Sequence, residues 1–78
     1  MSEERLASIL RQIYMSAARA DTSVAVILFG IRYADMIDAS GIRPRELARL
    51  AGIPESYASD LKKGIRLASH VVLKGRTA

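Results

Sequence analysis

Apolar side chains recur along this chain at helical intervals, separated by short polar breaks. Leu6, Ile9, Leu10, Ile13, Tyr14 and Ala17 form one stripe, and Arg5, Ser8, Arg11, Gln12 and Arg19 cover the opposite face. That spacing predicts a helix over residues 2–20. Ser2 is placed to cap it, and Glu3 and Glu4 complement its positive end. Asp21-Thr22-Ser23 breaks the pattern, and the most apolar segment follows, Ser23 to Ser40. Val24, Ile27, Leu28, Ile31, Ala34 and Ile37 form its first stripe; Val26, Phe29, Tyr33 and Met36 form a second. A strand competes over Val24 to Phe29, because Val and Ile favour strands. The pattern runs too long for one, so a helix over 23–40 is preferred. A helix apolar on two faces is usually buried on both. The first stripe is expected to pack on the elements that follow. The second is expected to meet the N-terminal helix, a second copy of the chain or a protein partner. Gly30 costs about 1 kcal/mol inside such a helix and permits a neighbour to come close. Ser40-Gly41-Ile42 supplies a glycine cap with an apolar residue after it.

The stretch Arg43 to Gly64, RPRELARLAGIPESYASDLKKG, organises the rest. Pro44 suits the first turn of a helix, and Ile42 and Leu47 are spaced for a hydrophobic staple across that start. Gly52 can adopt positive φ and redirect the chain, and Pro54 suits the start of a further helix. These signals predict helices over 44–51 and 54–63, with Gly64 as punctuation. Leu47, Ala48 and Leu50 are the expected buried positions of the first, and Ala58 and Leu61 those of the second. The remainder of the second helix is polar: Glu55, Ser56, Ser59, Asp60, Lys62 and Lys63, with Tyr57 among them. Beyond Gly64, Ile65, Ala68, Val71 and Val72 fit a short helix over 67–73. His70-Val71-Val72-Leu73 also fits a strand, and the helix is preferred. The expected fold is all-α: a small bundle of four to five helices containing a helix-turn-helix, in one domain over 1–78.

The run ELA, then AGI, then a polar helix ending in KKG resembles the helix-turn-helix of the lambda-repressor/Xre-like family, which includes small phage repressors and restriction-modification controller proteins. The resemblance covers 22 of the 78 residues. It departs from that family at Arg43, where a Ser or Thr cap is usual, at Ala58, which is smaller than the usual branched residue, and in the short stretch after Gly64. The resemblance implies a small regulator that binds DNA as a homodimer.

Charge changes the picture in the same direction. Residues 1–40 carry four basic and five acidic side chains, whereas residues 41–78 carry eight basic and three acidic ones. The cationic excess therefore falls on the helix-turn-helix half, where it attracts polyanions through counterion release. In helix-turn-helix docking the second helix enters the major groove. Glu55, Ser56, Tyr57 and Ser59 are then the expected base contacts, with Glu55 able to accept from cytosine N4. Arg43, Arg45, Arg49, Lys62, Lys63 and Arg66 are the expected phosphate contacts, and Lys74 and Arg76 are also available to phosphates. The dimer or partner surface is expected at Val26, Phe29, Tyr33 and Met36. The alternative is a protein-binding adaptor, of antitoxin or anti-activator type, on the same fold. The acidic Glu55 and Asp60 on the reading helix motivate it.

Catalytic chemistry finds little to work with. There is no cysteine and a single histidine, His70, in a short terminal element. No catalytic triad, zinc-ligand spacing or glycine-rich phosphate loop is present in the sequence. No enzyme activity, metal or cofactor is expected. The acidic start, Met1-Ser2-Glu3-Glu4, lacks the basic region of a signal peptide. The longest apolar run falls well short of the ~20 residues that span a bilayer. A cytoplasmic protein with no membrane partner is expected.

Overall fold

The computed structural model describes residues 1–73. It is a small all-α bundle of four helices: α1, Glu3–Ser16; α2, Thr22–Ser40; α3, Pro44–Ala51; and α4, Ala58–Leu67. Single turns of 3-10 helix lead into α2, at Arg19–Asp21, and into α4, at Glu55–Tyr57. No strand occurs among the described residues. No helix among them is long and apolar enough to cross a membrane. Lys74 and Arg76 lie outside the described residues.

Local chemistry accounts for most of the boundaries. Ser2 caps α1, its hydroxyl accepting the Arg5 N–H at 3.1 Å. The helix stops at Ser16, short of the expected Ala20, and Ala17 is already extended (φ −72°, ψ 144°). Beyond Ala17 the chain presents only exposed residues, Ala18 to Asp21, so no apolar contact draws the helix onward. Gly41 closes α2 in the left-handed region (φ 77°), its N–H shared between the carbonyls of Ile37 and Asp38. At α3 the Glu46 carboxylate accepts the Arg43 N–H at 3.3 Å. The Arg43 side chain has no acceptor to offer in return, so this start relies on Pro44 and on the burial of Ile42 and Leu47.

The core is aliphatic around one ring. Leu6, Leu10, Val26, Phe29, Leu47 and Leu61 are its largest fully buried side chains, each worth about 1.5–3 kcal/mol of transfer free energy. The stripe that α2 turns inward differs from the expected one. Val26, Phe29, Gly30, Ala34 and Ile37 are buried, while Val24 and Leu28 face outward. The reason is Gly30, which sets the crossing with α4. A Cβ there would lie 2.8 Å from the Leu61 carbonyl oxygen and 3.0 Å from the Gly64 Cα. A Cβ on Gly64 would collide with the Ile27 carbonyl oxygen and lie 2.9 Å from the Gly30 Cα. The two helices therefore touch backbone to backbone, glycine against glycine.

Four expectations are corrected by the packing. Gly64 is an interior packing position of α4, which runs on to Leu67. The surface expected at Val26, Phe29, Tyr33 and Met36 is not a surface: Val26 is 0% exposed and Phe29 1%. Tyr33 is half-buried against the Phe29 ring, with centroids 4.9 Å apart, and only Met36 is exposed. The short helix over 67–73 does not form. Ala68 to His70 make a turn, and Val71 and Val72 are exposed, so no core face awaits them. On α3 the buried set is Leu47, Ala48 and Ala51, and Leu50 is 49% exposed. Positions 47, 48 and 51 share a helical face from which position 50 is rotated away.

Gly30→Ala is expected to lower stability by about 1–3 kcal/mol, despite the better helix propensity of alanine. A urea titration checks this: the midpoint falls and the slope is unchanged.

Candidate nucleic-acid interface

The turn between α3 and α4 is built as the residues suggest. Gly52 is left-handed (φ 76°), its N–H bonding the Arg49 carbonyl, and the Ile53 N–H returns to the Ala48 carbonyl at 3.1 Å. Ile53 is buried and anchors the turn in the core. The chain then enters α4 through the 3-10 turn Glu55–Tyr57 instead of a continuous helix from Pro54. The Tyr57 N–H bonds the Pro54 carbonyl at 3.1 Å.

Leu61 and Gly64 turn α4 inward, so its opposite side is fixed by the 3.6-residue period. That side carries Ser59, Lys62, Lys63 and Arg66, all exposed. Between it and the start of α3 lies an open groove of about 570 Å³, lined by Arg43, Pro44, Arg45, Glu55, Ser56, Ala58, Ser59 and Lys62. Six of the ten residues expected to contact DNA thus meet in one depression. The other four are placed as follows. Arg49 lies beside the groove, its Nε–H donating to Glu55 Oε2 at 3.1 Å. Lys63 pairs loosely with Asp60, 4.0 Å away. Arg66 joins Lys62 on the rim of a second groove, of about 410 Å³, whose lining includes Ile37, Ile42, Pro44 and Ile65. Tyr57 is half-buried, its ring edge-on to Tyr14 with centroids 5.3 Å apart.

Tyr57 is thus a brace from the turn to α1. Desolvation, then the neighbouring Tyr14 and the charge of Asp60, raises its phenol pKa above the ordinary value of 10.0. At neutral pH it is a neutral hydroxyl. Glu55 is also engaged within the chain: besides Arg49, Arg45 Nε stands 3.7 Å from its Oε1.

Two supporting residues come from α1, and neither was expected from its sequence. Arg11 donates to the carbonyl of Ala51 at 3.1 Å, placing a cation at the C-terminal end of α3, where the helix dipole favours it. A Cβ at Gly52 would lie 2.6 Å from Arg11 Nη1, so a side chain there would push this flexible guanidinium aside, in addition to straining the left-handed backbone. In the sequence Arg11 reads as polar cover and Tyr14 as one member of the apolar stripe, so neither signals a contact with the turn. Among the described residues, no group of three or more His, Asp or Glu side chains comes together to hold a metal.

Two short helices joined through a left-handed glycine, the second presenting a polar and cationic side to solvent, define a helix-turn-helix domain. The chain belongs to the HTH-like domain family, whose model matches residues 2–74. DNA-binding regulation is the kind of function that this class suggests. The match carries the helix-turn-helix part of the resemblance at Arg43–Gly64; it does not extend to the lambda-repressor/Xre-like type. No curated protein and no solved structure matches the chain.

If Tyr57 braces the turn through Tyr14, Tyr14→Ala and Tyr57→Ala should be non-additive. A double-mutant cycle on unfolding free energy should give a coupling of about 0.5–1.5 kcal/mol.

Proposed function

We propose that this chain is a non-enzymatic, sequence-specific transcriptional regulator that binds double-stranded DNA as a homodimer. The observation that carries the reading is the groove between α3 and α4. Arg43, Arg45 and Lys62 surround Ser56 and Ser59 there, in water and on the one side of α4 that its packing leaves free. α4 lies in the major groove, with the start of α3 over the adjoining backbone. Ser56 and Ser59 face base edges, because Tyr57 is packed on Tyr14 and Glu55 is engaged by arginines. Arg43, Arg45, Arg49, Lys62, Lys63 and Arg66 neutralise phosphates. In a two-fold dimer the two copies of α4 meet successive major grooves about 34 Å apart.

A second reading, a protein-binding adaptor, is favoured by the groove that Ile37, Ile42, Pro44 and Ile65 line beside Lys62 and Arg66. Exposed Val24, Leu28 and Met36 on α2 favour it too. A gel shift against the DNA upstream of its own coding sequence separates the two: tight, salt-sensitive binding supports the regulator. No shift, with a protein co-purifying, supports the adaptor.

For the regulator, Lys62→Ala should weaken binding to all sequences alike and flatten the log–log salt slope by about 0.9. Ser59→Ala should cost about 1–3 kcal/mol on the preferred site and little elsewhere. Equal losses from Ser59→Ala on every duplex would exclude α4 as the reading element.

A further inference from the structure

The groove that gathers the cations also holds one carboxylate, and that carboxylate is occupied. Arg49 Nε–H donates to Glu55 Oε2 at 3.1 Å, and Arg45 Nε lies 3.7 Å from Oε1. Each oxygen takes one guanidinium group, as the two free oxygens of a phosphodiester would. Arg45 and Arg49 are four residues apart on α3, a spacing at which like charges repel. Glu55 lets them lie side by side. Its position is set by the fold: it opens the 3-10 turn that Tyr57 ties to α1. The three side chains are 73%, 65% and 46% exposed, so another anion can reach the pair and exchange with it.

We infer that Glu55 is a specificity-determining residue that acts as an internal substitute for a DNA phosphate. It aligns and neutralises Arg45 and Arg49 in the free chain, and duplex phosphate displaces it. The inference rests on the DNA-binding reading above and gives Glu55 a role other than reading cytosine. On arbitrary duplex the two arginines remain satisfied by their own carboxylate, and fewer phosphates are neutralised. On a site where Ser56 and Ser59 fit the bases, α4 is held close enough for phosphate to win the arginines. The pair thereby converts a general attraction into one conditional on fit.

The test is fluorescence anisotropy on a duplex of arbitrary sequence, from about 50 to about 200 mM salt. The proteins compared are the wild type, Glu55→Gln and Asp35→Asn; the last removes one negative charge from α2, outside the groove. Glu55→Gln is expected to bind more tightly at low salt, with a slope steeper by up to about 1.8 if both arginines are freed. That slope adds a loss of about tenfold in affinity across the salt range. Asp35→Asn keeps the pair, so it should retain the wild-type slope. In the DNA-free protein the Arg49 Nε–H resonance should move in Glu55→Gln and stay in Asp35→Asn. Weaker binding by Glu55→Gln, an unchanged slope, equal steepening by Asp35→Asn or an unmoved Arg49 resonance would each overturn the inference while the DNA reading stands. No binding by the wild type at low salt would overturn both.

Discussion

The contact of Gly30 with Gly64 is the constraint on which the other features depend. Two helices with side chains at those positions would stand further apart, and Val26, Phe29 and Leu61 would not close around the crossing. Each glycine costs about 1 kcal/mol of helix propensity. Packing offsets this, since a single fully buried Leu or Phe contributes about 1.5–3 kcal/mol. The crossing also sets rotation. With Leu61 and Gly64 pressed inward, the 3.6-residue period leaves Ser59, Lys62, Lys63 and Arg66 no direction except outward. The cationic side of α4 is thus a consequence of how its other side packs.

A helix-turn-helix pair of this length has too little apolar surface to hold its own geometry, and α1 adds to what α2 supplies. Leu6 and Leu10 enter the core, Arg11 closes the end of α3, and Tyr14 supports Tyr57. The last two contacts fall on opposite sides of Gly52. The angle between α3 and α4 is therefore held from below by one helix, while the upper side, where the groove opens, is left free.

The turn signals were legible because they are local. Gly41, Gly52, Pro44 and Ser2 act through backbone conformation and capping within a few residues of themselves, and the chain obeys them. The groove residues were legible too, because polar positions on a helix whose apolar side is clear must face solvent. What failed depended on contacts between distant segments. Gly64 is followed by a break in the polar pattern, which in isolation resembles a helix end; only Gly30 on the facing helix makes it an interior position. The same contact rolled α2 enough to bury Val26 and Phe29, which periodicity alone could not place on an apolar-all-round helix. Glu55, Arg45 and Arg49 are close in sequence, yet their pairing needs the turn to fold back over α3. Residues 67–73 have helical spacing, but Leu67, Val71 and Val72 stay exposed, and spacing without burial does not stabilise so short a helix.

Electrostatics on this domain are best weighed by exposure. Each pair in the groove is solvated and worth about 0–1 kcal/mol, so none of them holds the fold together; hydrophobic burial is larger by an order of magnitude across the core. That inequality has a functional side. Side chains that contribute almost nothing to folding can change partner without unfolding cost, and Arg45, Arg49 and Lys62 are of that kind. Tyr57, Leu61 and Gly64 on the same stretch are of the opposite kind, since moving any of them disturbs packing. The segment from Glu55 to Arg66 therefore alternates between residues fixed by the core and residues free to exchange ions, and a rigid frame bearing exchangeable charges is what selective recognition of a polyanion requires.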